Sequence, residues 1–242
     1  MNLLIDIGNT ATKFAVSDKG DFRYVGRVYN FDINKENINS LLKEIKTISN
    51  IYVCSVAPKI FDSLQEILKD LYKIESKLVD ISYNKYVDIK IDDPKELGMD
   101  LLCDLVAGKK LYGNKLAIVD YGTATKILFI DKDGVFSSCA IFLGVKQSKK
   151  KLSDKAELIP LVDEIKLKPI SECHNTVDVI NSSAIYSQLF TVKGIIAQYE
   201  QEVGYKVKVI STGGNATDFL KEKENHDRDL VLKGLLILTE GE

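Results

Sequence analysis

Two stretches of this chain repeat one pattern, and that repeat constrains the possible fold more than any other feature. Residues 3–20 contain an apolar strand, a small polar turn and a second apolar strand, and residues 116–134 repeat this order. Asp6 and Asp120 lie 114 residues apart, and Thr10 and Thr123 lie 113 apart. This period is too long for a solenoid. It predicts two similar domains, each beginning with a β-hairpin.

The turn of each hairpin concentrates groups that bind phosphate. The first turn presents Asp6, the amides of Gly8 and Asn9, the Thr10 hydroxyl and Lys13. Small turn residues let backbone N–H groups approach an anion, and a neighbouring carboxylate anchors a metal ion or its waters. A single hairpin of this kind also occurs in many proteins that bind nothing. The second copy is what favours a phosphate site over an ordinary turn.

The second turn follows the first closely. Asp120-Tyr121-Gly122 corresponds to Asp6-Ile7-Gly8, and after a one-residue gap Thr123-Ala124-Thr125-Lys126 corresponds to Thr10-Ala11-Thr12-Lys13. Paired hairpins of this type resemble those of the actin, hexokinase and heat-shock ATPase superfamily. The resemblance implies an α/β fold of two similar actin-like (ribonuclease H-like) domains, with mixed sheets flanked by helices and a cleft between them.

The domain boundary is expected at Gly113-Asn114, which ends a predicted helix over residues 97–112. Residues 1–113 then form the N-terminal domain and residues 114–242 the C-terminal domain. Further helices are predicted over residues 36–48, 60–73, 177–203 (broken or bent near Gly194), 216–223 and 229–240. The Lys-rich stretch 144–157 is interpreted as a solvated helix face, with an electrostatic lip for an anion as the alternative.

Composition excludes several classes of function. The chain has 242 residues, 45% of them hydrophobic and 28% charged, and a formal net charge of −2, so it lacks the basic footprint of a nucleic-acid-binding protein. No apolar run approaches the roughly 20 residues that span a bilayer, and no signal peptide is visible. Four scattered cysteines and two histidines make a zinc site improbable. We expect a cytoplasmic protein that binds neither membrane nor nucleic acid, with reduced thiols.

Three further positions are candidates for chemistry, and each has a plainer structural explanation. Asp100 follows Gly98 at the start of a helix, where it is either a base or an acid favoured by the helix dipole. Gly213-Gly214 follows a buried strand, where it either lets an adenine ring lie on the backbone or forms an ordinary turn. Thr176 precedes a long helix and either caps it or contacts substrate.

These motifs, taken in order, resemble type III pantothenate kinase over essentially the whole chain. The matching segments are Asp6 to Thr10, Gly98-Met99-Asp100-Leu101, Asp120 to Lys126, Asn175-Thr176 and Thr212 to Gly214. The resemblance implies a homodimer that transfers the γ-phosphate of ATP to pantothenate, the first step of coenzyme A biosynthesis. It also implies magnesium with ATP and a monovalent cation, potassium or ammonium.

The resemblance also implies site roles. Asp100 is the expected general base, and Asp120 and Asp6 are the expected metal-facing carboxylates, with the monovalent cation at Asp120. Gly98, Met99, Leu101 and Thr176 are the expected substrate-side residues. ATP is expected on Asp6, Gly8, Asn9, Thr10, Lys13, Gly122, Thr123, Gly213 and Gly214.

The departures from the family pattern keep other functions open. Leu101 stands where the family has Arg, and leucine cannot bind the pantothenate carboxylate as a guanidinium does. Lys126 replaces the last Thr of the second motif, and Ser138-Cys139 and Phe142-Leu143 replace Gly-Gly and Leu-Pro. The alternatives are a nucleotide-binding paralogue that acts through a protein partner and a kinase for another small alcohol. An actin-like filament protein is less favoured, because such proteins are usually longer.

Overall fold

The structure is a computed structural model, and it describes residues 1–18, 20–216, 220 and 225–240. The strands are β1 (Asn2–Ile7), β2 (Ala11–Asp18), β3 (Asp21–Tyr29), β4 (Asn50–Ser55), β5 (Ser76–Leu78), β6 (Asp88–Ile89), β7 (Leu116–Tyr121), β8 (Ala124–Ile130), β9 (Val135–Leu143) and β10 (Lys208–Thr212). The α-helices are α1 (Lys35–Leu42), α2 (Pro58–Tyr72), α3 (Met99–Tyr112), α4 (Val145–Lys155), α5 (Thr176–Val203) and α6 (Leu230–Leu238).

The first of two compact units contains a five-stranded mixed sheet in the order β3-β2-β1-β4-β5. β1 pairs antiparallel with β2 and parallel with β4. The strand β1 is central, and its apolar side chains Leu3, Leu4, Ile5 and Ile7 are fully buried. Because both faces of β1 are covered, the run is continuously apolar and ends at the polar turn that follows Ile7.

The first unit also contains the C-terminal helix, α6. Gly234 of α6 lies against the backbone of Cys103 in α3, so close that a Cβ there would be 2.0 Å from the Cys103 carbonyl oxygen. The continuous segment 114–242 predicted as one domain is therefore divided. The second unit comprises Asn114–Asp133 and Ser137–Arg228, while Gly134–Phe136 and the segment from Asp229 fall in the first. The cause is the apolar sequence of α6, which packs on α3 and the first sheet.

The second unit repeats the plan of the first. Its strands follow the order β10-β7-β8-β9, with β7 antiparallel to β8 and parallel to β10. The fifth strand of this sheet, β6, pairs with Val135 and Phe136 of β9, and these residues are counted in the first unit. Inside the second unit, α5 covers one sheet face with the buried side chains Ile185, Val192 and Ile196. The two mixed sheets with flanking helices confirm the predicted fold class.

Some helix boundaries differ from those predicted. The helix predicted over residues 36–48 ends at Leu42, and α5 runs without interruption through Gly194, where a break or a bend was expected. A single glycine costs a helix only about 1 kcal/mol, which the packing of 28 residues outweighs. The helix predicted over 216–223 falls largely outside the described residues. Within the described part of the chain, none of the helices is long and apolar enough to cross a membrane.

Candidate functional site

The first hairpin turn, between β1 and β2, is closed by its own backbone. The Gly8 N–H donates to the Ala11 carbonyl at 3.2 Å, which reverses the chain in a tight loop. A Cβ on Gly8 would lie 3.3 Å from that same carbonyl oxygen, a crowded distance that favours glycine. Asn9 and Thr10 are exposed at the tip. The turn therefore presents small, accessible residues, as a phosphate site requires.

Asn30, which the sequence did not predict as a site residue, holds this turn with three hydrogen bonds. Its side-chain amide donates to the Gly8 carbonyl at 2.8 Å, and its Oδ1 accepts from the Thr12 hydroxyl at 3.0 Å. Its backbone N–H donates to the Thr10 carbonyl at 3.0 Å. Asn30 follows directly after β3, and no local sequence signal shows that its side chain reaches across to the first turn.

Asp6 lies at the end of β1 with a cation beside it. It is directly opposite Lys13 in the strand register, and the Lys13 Nζ lies 3.3 Å from the Asp6 Oδ2. Only 7% of the Asp6 side chain and 18% of the Lys13 side chain are exposed. A paired, largely buried ammonium at a small-residue turn is suited to a phosphate oxygen.

The negative charges of Asp6 and of the predicted base Asp100 both raise the pKa of one buried thiol, that of Cys54. Asp6 is paired with Cys54 across β1 and β4, and the Cys54 thiol shares a hydrogen bond with Cys103 of α3. The pKa of Cys54 is raised well above its ordinary value by that hydrogen bond, by burial and by the negative charges of Asp6 and Asp100. Asp6 of β1 and Asp100 of α3 therefore both lie near this pair of thiols, and the roles expected of the two carboxylates stay predictions.

The start of α3 holds Asp100 in a defined orientation. The Asp100 Oδ1 accepts the N–H of Leu101 at 2.9 Å. A Cβ on Gly98 would lie 2.6 Å from that oxygen, so glycine leaves the space into which the carboxylate folds. Leu101 itself is buried in the core, with 8% exposed, and Met99 is half-buried. Leu101 therefore packs the helix and offers no hydrogen bond from its side chain.

The second hairpin turn, between β7 and β8, has the same closure. The Gly122 N–H donates to the Ala124 carbonyl at 3.1 Å. Two residues distant in sequence support it: Asn215 donates its side-chain amide to the Gly122 carbonyl at 2.9 Å, and the Gly144 N–H donates to the Thr123 carbonyl at 3.0 Å. Neither Asn215 nor Gly144 was predicted as a site residue, because their contacts depend on the folded unit.

Gly213 and Gly214 play different parts. Gly213 has a φ of +101°, and a Cβ there would lie 2.5 Å from the backbone of Tyr121 and from the Asp120 Oδ1. Gly213 is thus required by close packing on the second hairpin. Gly214 has open space around its Cα and is exposed. Of the pair, only Gly214 leaves room beside the backbone for a flat ligand.

Asp120 lies at the end of β7, opposite Lys126 in the strand register. The Lys126 Nζ lies 2.9 Å from the Asp120 Oδ2, and 16% and 11% of the two side chains are exposed. The pair therefore repeats Asp6 and Lys13 in the second unit. Among the described residues, no group of three or more His, Cys, Asp or Glu side chains is arranged to hold a metal ion.

Two buried polar side chains of α5, Gln188 and Asn181, form hydrogen bonds with other elements of the second unit. Gln188 accepts the Thr125 hydroxyl at 2.7 Å and donates to the Leu143 carbonyl. Asn181 accepts from Lys149, which is only 2% exposed and also donates to the Glu164 carbonyl. Burial lowers the pKa of Lys149. The interpretation of residues 144–157 as a solvated helix face is therefore wrong at Lys149.

Thr176 is the first residue of α5 and is exposed. It is not the cap of that helix, because the Asn175 side chain accepts the Asp178 N–H at 2.9 Å and fills that role. Of the two interpretations of Thr176, capping is excluded, and contact with substrate stays a prediction.

Comparison with solved structures identifies the fold. A conserved protein provisionally described as a Baf family transcriptional activator from Campylobacter jejuni is 20% identical, with a TM-score of 0.58, over 98% of this chain and 96% of that one. A protein provisionally described as a 2-dehydro-3-deoxygalactonokinase from Sinorhizobium meliloti is 11% identical, with a TM-score of 0.56, over 98% of both chains. The ethanolamine utilization protein EutJ from Carboxydothermus hydrogenoformans is 16% identical, with a TM-score of 0.51, over 98% of this chain and 88% of that one.

At these identities the likeness concerns the fold, which is the two-domain actin-like fold. The sequence itself identifies the family. The family model described as type III pantothenate kinase matches residues 2–198, which include both hairpins, Asp100 and Thr176. This chain belongs to the type III pantothenate kinase family.

Proposed function

We propose that this protein transfers the γ-phosphate of ATP to the primary hydroxyl of pantothenate. The observation that carries the proposal is the duplicated hairpin with its carboxylate–lysine pair, Asp6 with Lys13 and Asp120 with Lys126. In both units a largely buried ammonium lies beside the carboxylate at the hairpin turn, and an ammonium in such surroundings favours phosphate oxygens. The amides of Gly8 and Gly122 close their own turns, so they are not free for phosphate. The family match supports an ATP-dependent kinase.

Asp100 is the proposed general base. Phosphoryl transfer needs positioned phosphates and a carboxylate that accepts the proton of the attacking hydroxyl. The Leu101 N–H holds one oxygen of Asp100, and Gly98 leaves the space that this orientation needs. The carboxylate is half-buried at the N-terminus of α3, where an acceptor hydroxyl can reach it.

Magnesium is the proposed companion of ATP. Mg²⁺ usually binds one or two carboxylates together with phosphate oxygens and water. Asp6 lies at the hairpin turn, but its Oδ2 already faces the Lys13 Nζ at 3.3 Å, so its carboxylate would bind a water of the metal ion and not the ion itself. Bound Mg²⁺ would neutralise phosphate charge, and Asp6 would orient it through one of its waters.

Leu101 favours a second candidate, a nucleotide-binding paralogue that acts through a protein partner. A buried leucine replaces the arginine that the family places beside the base, and a carboxylate bound without such a cation loses a bidentate contact. This change leaves both phosphate-side hairpins intact.

The acceptor is tested by comparing pantothenate with panthenol, in which a neutral alcohol replaces the carboxylate. We expect phosphorylation of both with ATP and magnesium, and a KM for pantothenate that falls by about tenfold in Leu101→Arg, while the KM for panthenol does not. Leu102→Met is the matched control on the same helix. If neither pantothenate nor panthenol is phosphorylated, and the protein captures a specific partner only with nucleotide, the nucleotide-binding paralogue is supported instead.

We further propose a cytoplasmic homodimer. The exposed large apolar side chains of the second unit include Ile141 and Leu143 on β9 and Phe190 on α5. Phe190 stacks on Tyr186 with ring centroids 5.6 Å apart. Such residues are typical of interface cores. Light scattering after size exclusion should give twice the chain mass, and Phe190→Glu should give the mass of one chain.

A further inference from the structure

The cation beside Asp120 is a side chain of the protein itself, the ammonium of Lys126. Lys126 lies directly across the strand pair from Asp120, and its Nζ is 2.9 Å from the Oδ2 of that carboxylate. The other oxygen, Oδ1, lies close to the backbone of Gly213. A Cβ added to Gly213 would be only 2.5 Å from this oxygen. One oxygen is thus bound by an ammonium and the other is packed against the backbone.

This arrangement does not fit the monovalent cation expected at Asp120. Potassium or ammonium at the Oδ2 would take the place that the Lys126 Nζ holds, since both ions contact a carboxylate oxygen at about the distance of a charge-assisted hydrogen bond. A second cation beside the first would bring two positive charges together in a site where the two side chains are 16% and 11% exposed. Repulsion at a few ångströms is strong in such surroundings.

We propose that the Lys126 ammonium is the resident cation of the second hairpin and that it holds Asp120 in place without potassium or free ammonium. The family motif has threonine at this position, which offers a hydroxyl oxygen, whereas lysine offers the charge itself. A tethered ammonium loses no translational freedom on binding, so a dissolved ion competes with it poorly.

The first hairpin supplies an internal comparison. Lys13 and Asp6 occupy the corresponding register positions, with 3.3 Å between the Nζ and the Oδ2 and similar burial. Both hairpins therefore use one device, a carboxylate neutralised by the lysine opposite it. The consequence for catalysis, a kinase that does not need potassium, rests on the proposed function; the cation assignment itself does not.

The assignment is tested without nucleotide or alcohol. Thermal unfolding is measured in potassium chloride, ammonium chloride and tetramethylammonium chloride at equal ionic strength. The unchanged protein should give midpoints that agree within about 1 °C, because its site already holds a cation. Lys126→Thr should unfold earlier in tetramethylammonium and recover by about 4 °C or more with a saturable dependence on potassium.

Two further variants separate this result from a general effect of the substitution. Lys126→Arg keeps a tethered cation and should show no specific response to potassium, while Lys126→Thr combined with Asp120→Asn should lose the response. Lys168→Thr, which breaks a different ion pair of the same unit, should also show none. A saturable potassium response in the unchanged protein, or none in Lys126→Thr, overturns the assignment. Because no phosphate transfer is measured, failure of the proposed kinase activity would leave this result intact.

Discussion

Two residues close in sequence, Leu101 and Gly98, contribute to the orientation of the Asp100 carboxylate. The Leu101 amide holds one oxygen at 2.9 Å, and the missing side chain of Gly98 leaves room for it. The spacing Gly-x-Asp before a helix was enough to nominate Asp100 from sequence. The reason for the glycine was not visible there, because it lies in a contact of 2.6 Å that only the folded backbone creates.

Asp100→Asn should abolish turnover while leaving ATP binding nearly unchanged. Asparagine keeps an Oδ1 that accepts the Leu101 N–H, so the helix start is preserved, but it cannot take a proton. We expect kcat to fall by about 10²-fold or more, with the dissociation constant for ATP within about twofold. Steady-state kinetics and titration calorimetry measure the two quantities. Asp92→Asn, in an exposed turn of the same unit, is the control, and full activity of Asp100→Asn would refute the base assignment.

Gly98→Ala should act on the same carboxylate indirectly. The new Cβ would contact the Asp100 Oδ1, a side-chain atom that can move, so folding should survive while the carboxylate shifts. A misplaced catalytic group commonly costs about 10²-fold in rate. Gly194→Ala, where a Cβ meets nothing within 4 Å, should leave the rate unchanged. Equal kcat values for the two variants would show that the position of Asp100 does not depend on Gly98.

At the scale of elements, the two hairpins were predictable and their supports were not. Alternation of apolar strands with a small-residue turn is local information, and it located both turns correctly. Asn30, Gly144 and Asn215 support those turns from positions 20 or more residues away in the sequence, through hydrogen bonds of 2.8 to 3.0 Å. Such contacts follow from how strands and helices pack, which a single sequence does not reveal.

Gly213→Ala tests the contact between the loop after β10 and the second hairpin. Alanine must adopt a φ of +101° and place its Cβ 2.5 Å from the Tyr121 backbone, which cannot move aside easily. We expect a loss of about 1–3 kcal/mol in the free energy of unfolding. Gly214→Ala, with open space around it, should unfold like the unchanged protein in denaturant titrations. Equal losses in both variants would contradict the distinction drawn between the two glycines.

The start of α5 should make stability depend on acid pH. The pKa of Asp178 lies below its ordinary value of 3.8 because the Lys168 ammonium and the Asn175 amide donate to the carboxylate. As pH falls, the unfolded chain therefore takes up this proton first, so the stabilisation is complete above the ordinary pKa and is lost as pH falls through the lowered one. Lys168→Met should be less stable than the unchanged protein at pH 7. The difference in free energy of unfolding between the two proteins should become smaller towards about pH 2.5.

Denaturant titrations across this pH range measure the difference in free energy of unfolding between Lys168→Met and the unchanged protein. Lys193→Met, an exposed lysine on the same helix, should show a difference that does not vary with pH. A difference for Lys168→Met that is constant or widens in acid would show that the ion pair with Asp178 does not stabilise the folded state.

At the scale of the whole molecule, the internal repeat predicted two similar α/β units, and this is confirmed. The assignment of the last helix to the second unit does not match the contacts. The sequence of α6, apolar on nearly all sides, indicates a buried helix but does not show which sheet buries it. The close contact of Gly234 with the backbone of Cys103 places α6 on the first sheet. These two residues are 131 positions apart, so the sequence does not reveal their contact.

The central claim is that the chain is a kinase whose hairpins hold ATP and whose acceptor is pantothenate. The most direct test incubates the purified protein with ATP, magnesium and pantothenate and follows the product by mass spectrometry. We expect phosphopantothenate to form in proportion to enzyme and time, and Asp100→Asn to give none above background. ATP binding by a correctly folded protein with no phosphopantothenate formed at any enzyme concentration would contradict the account.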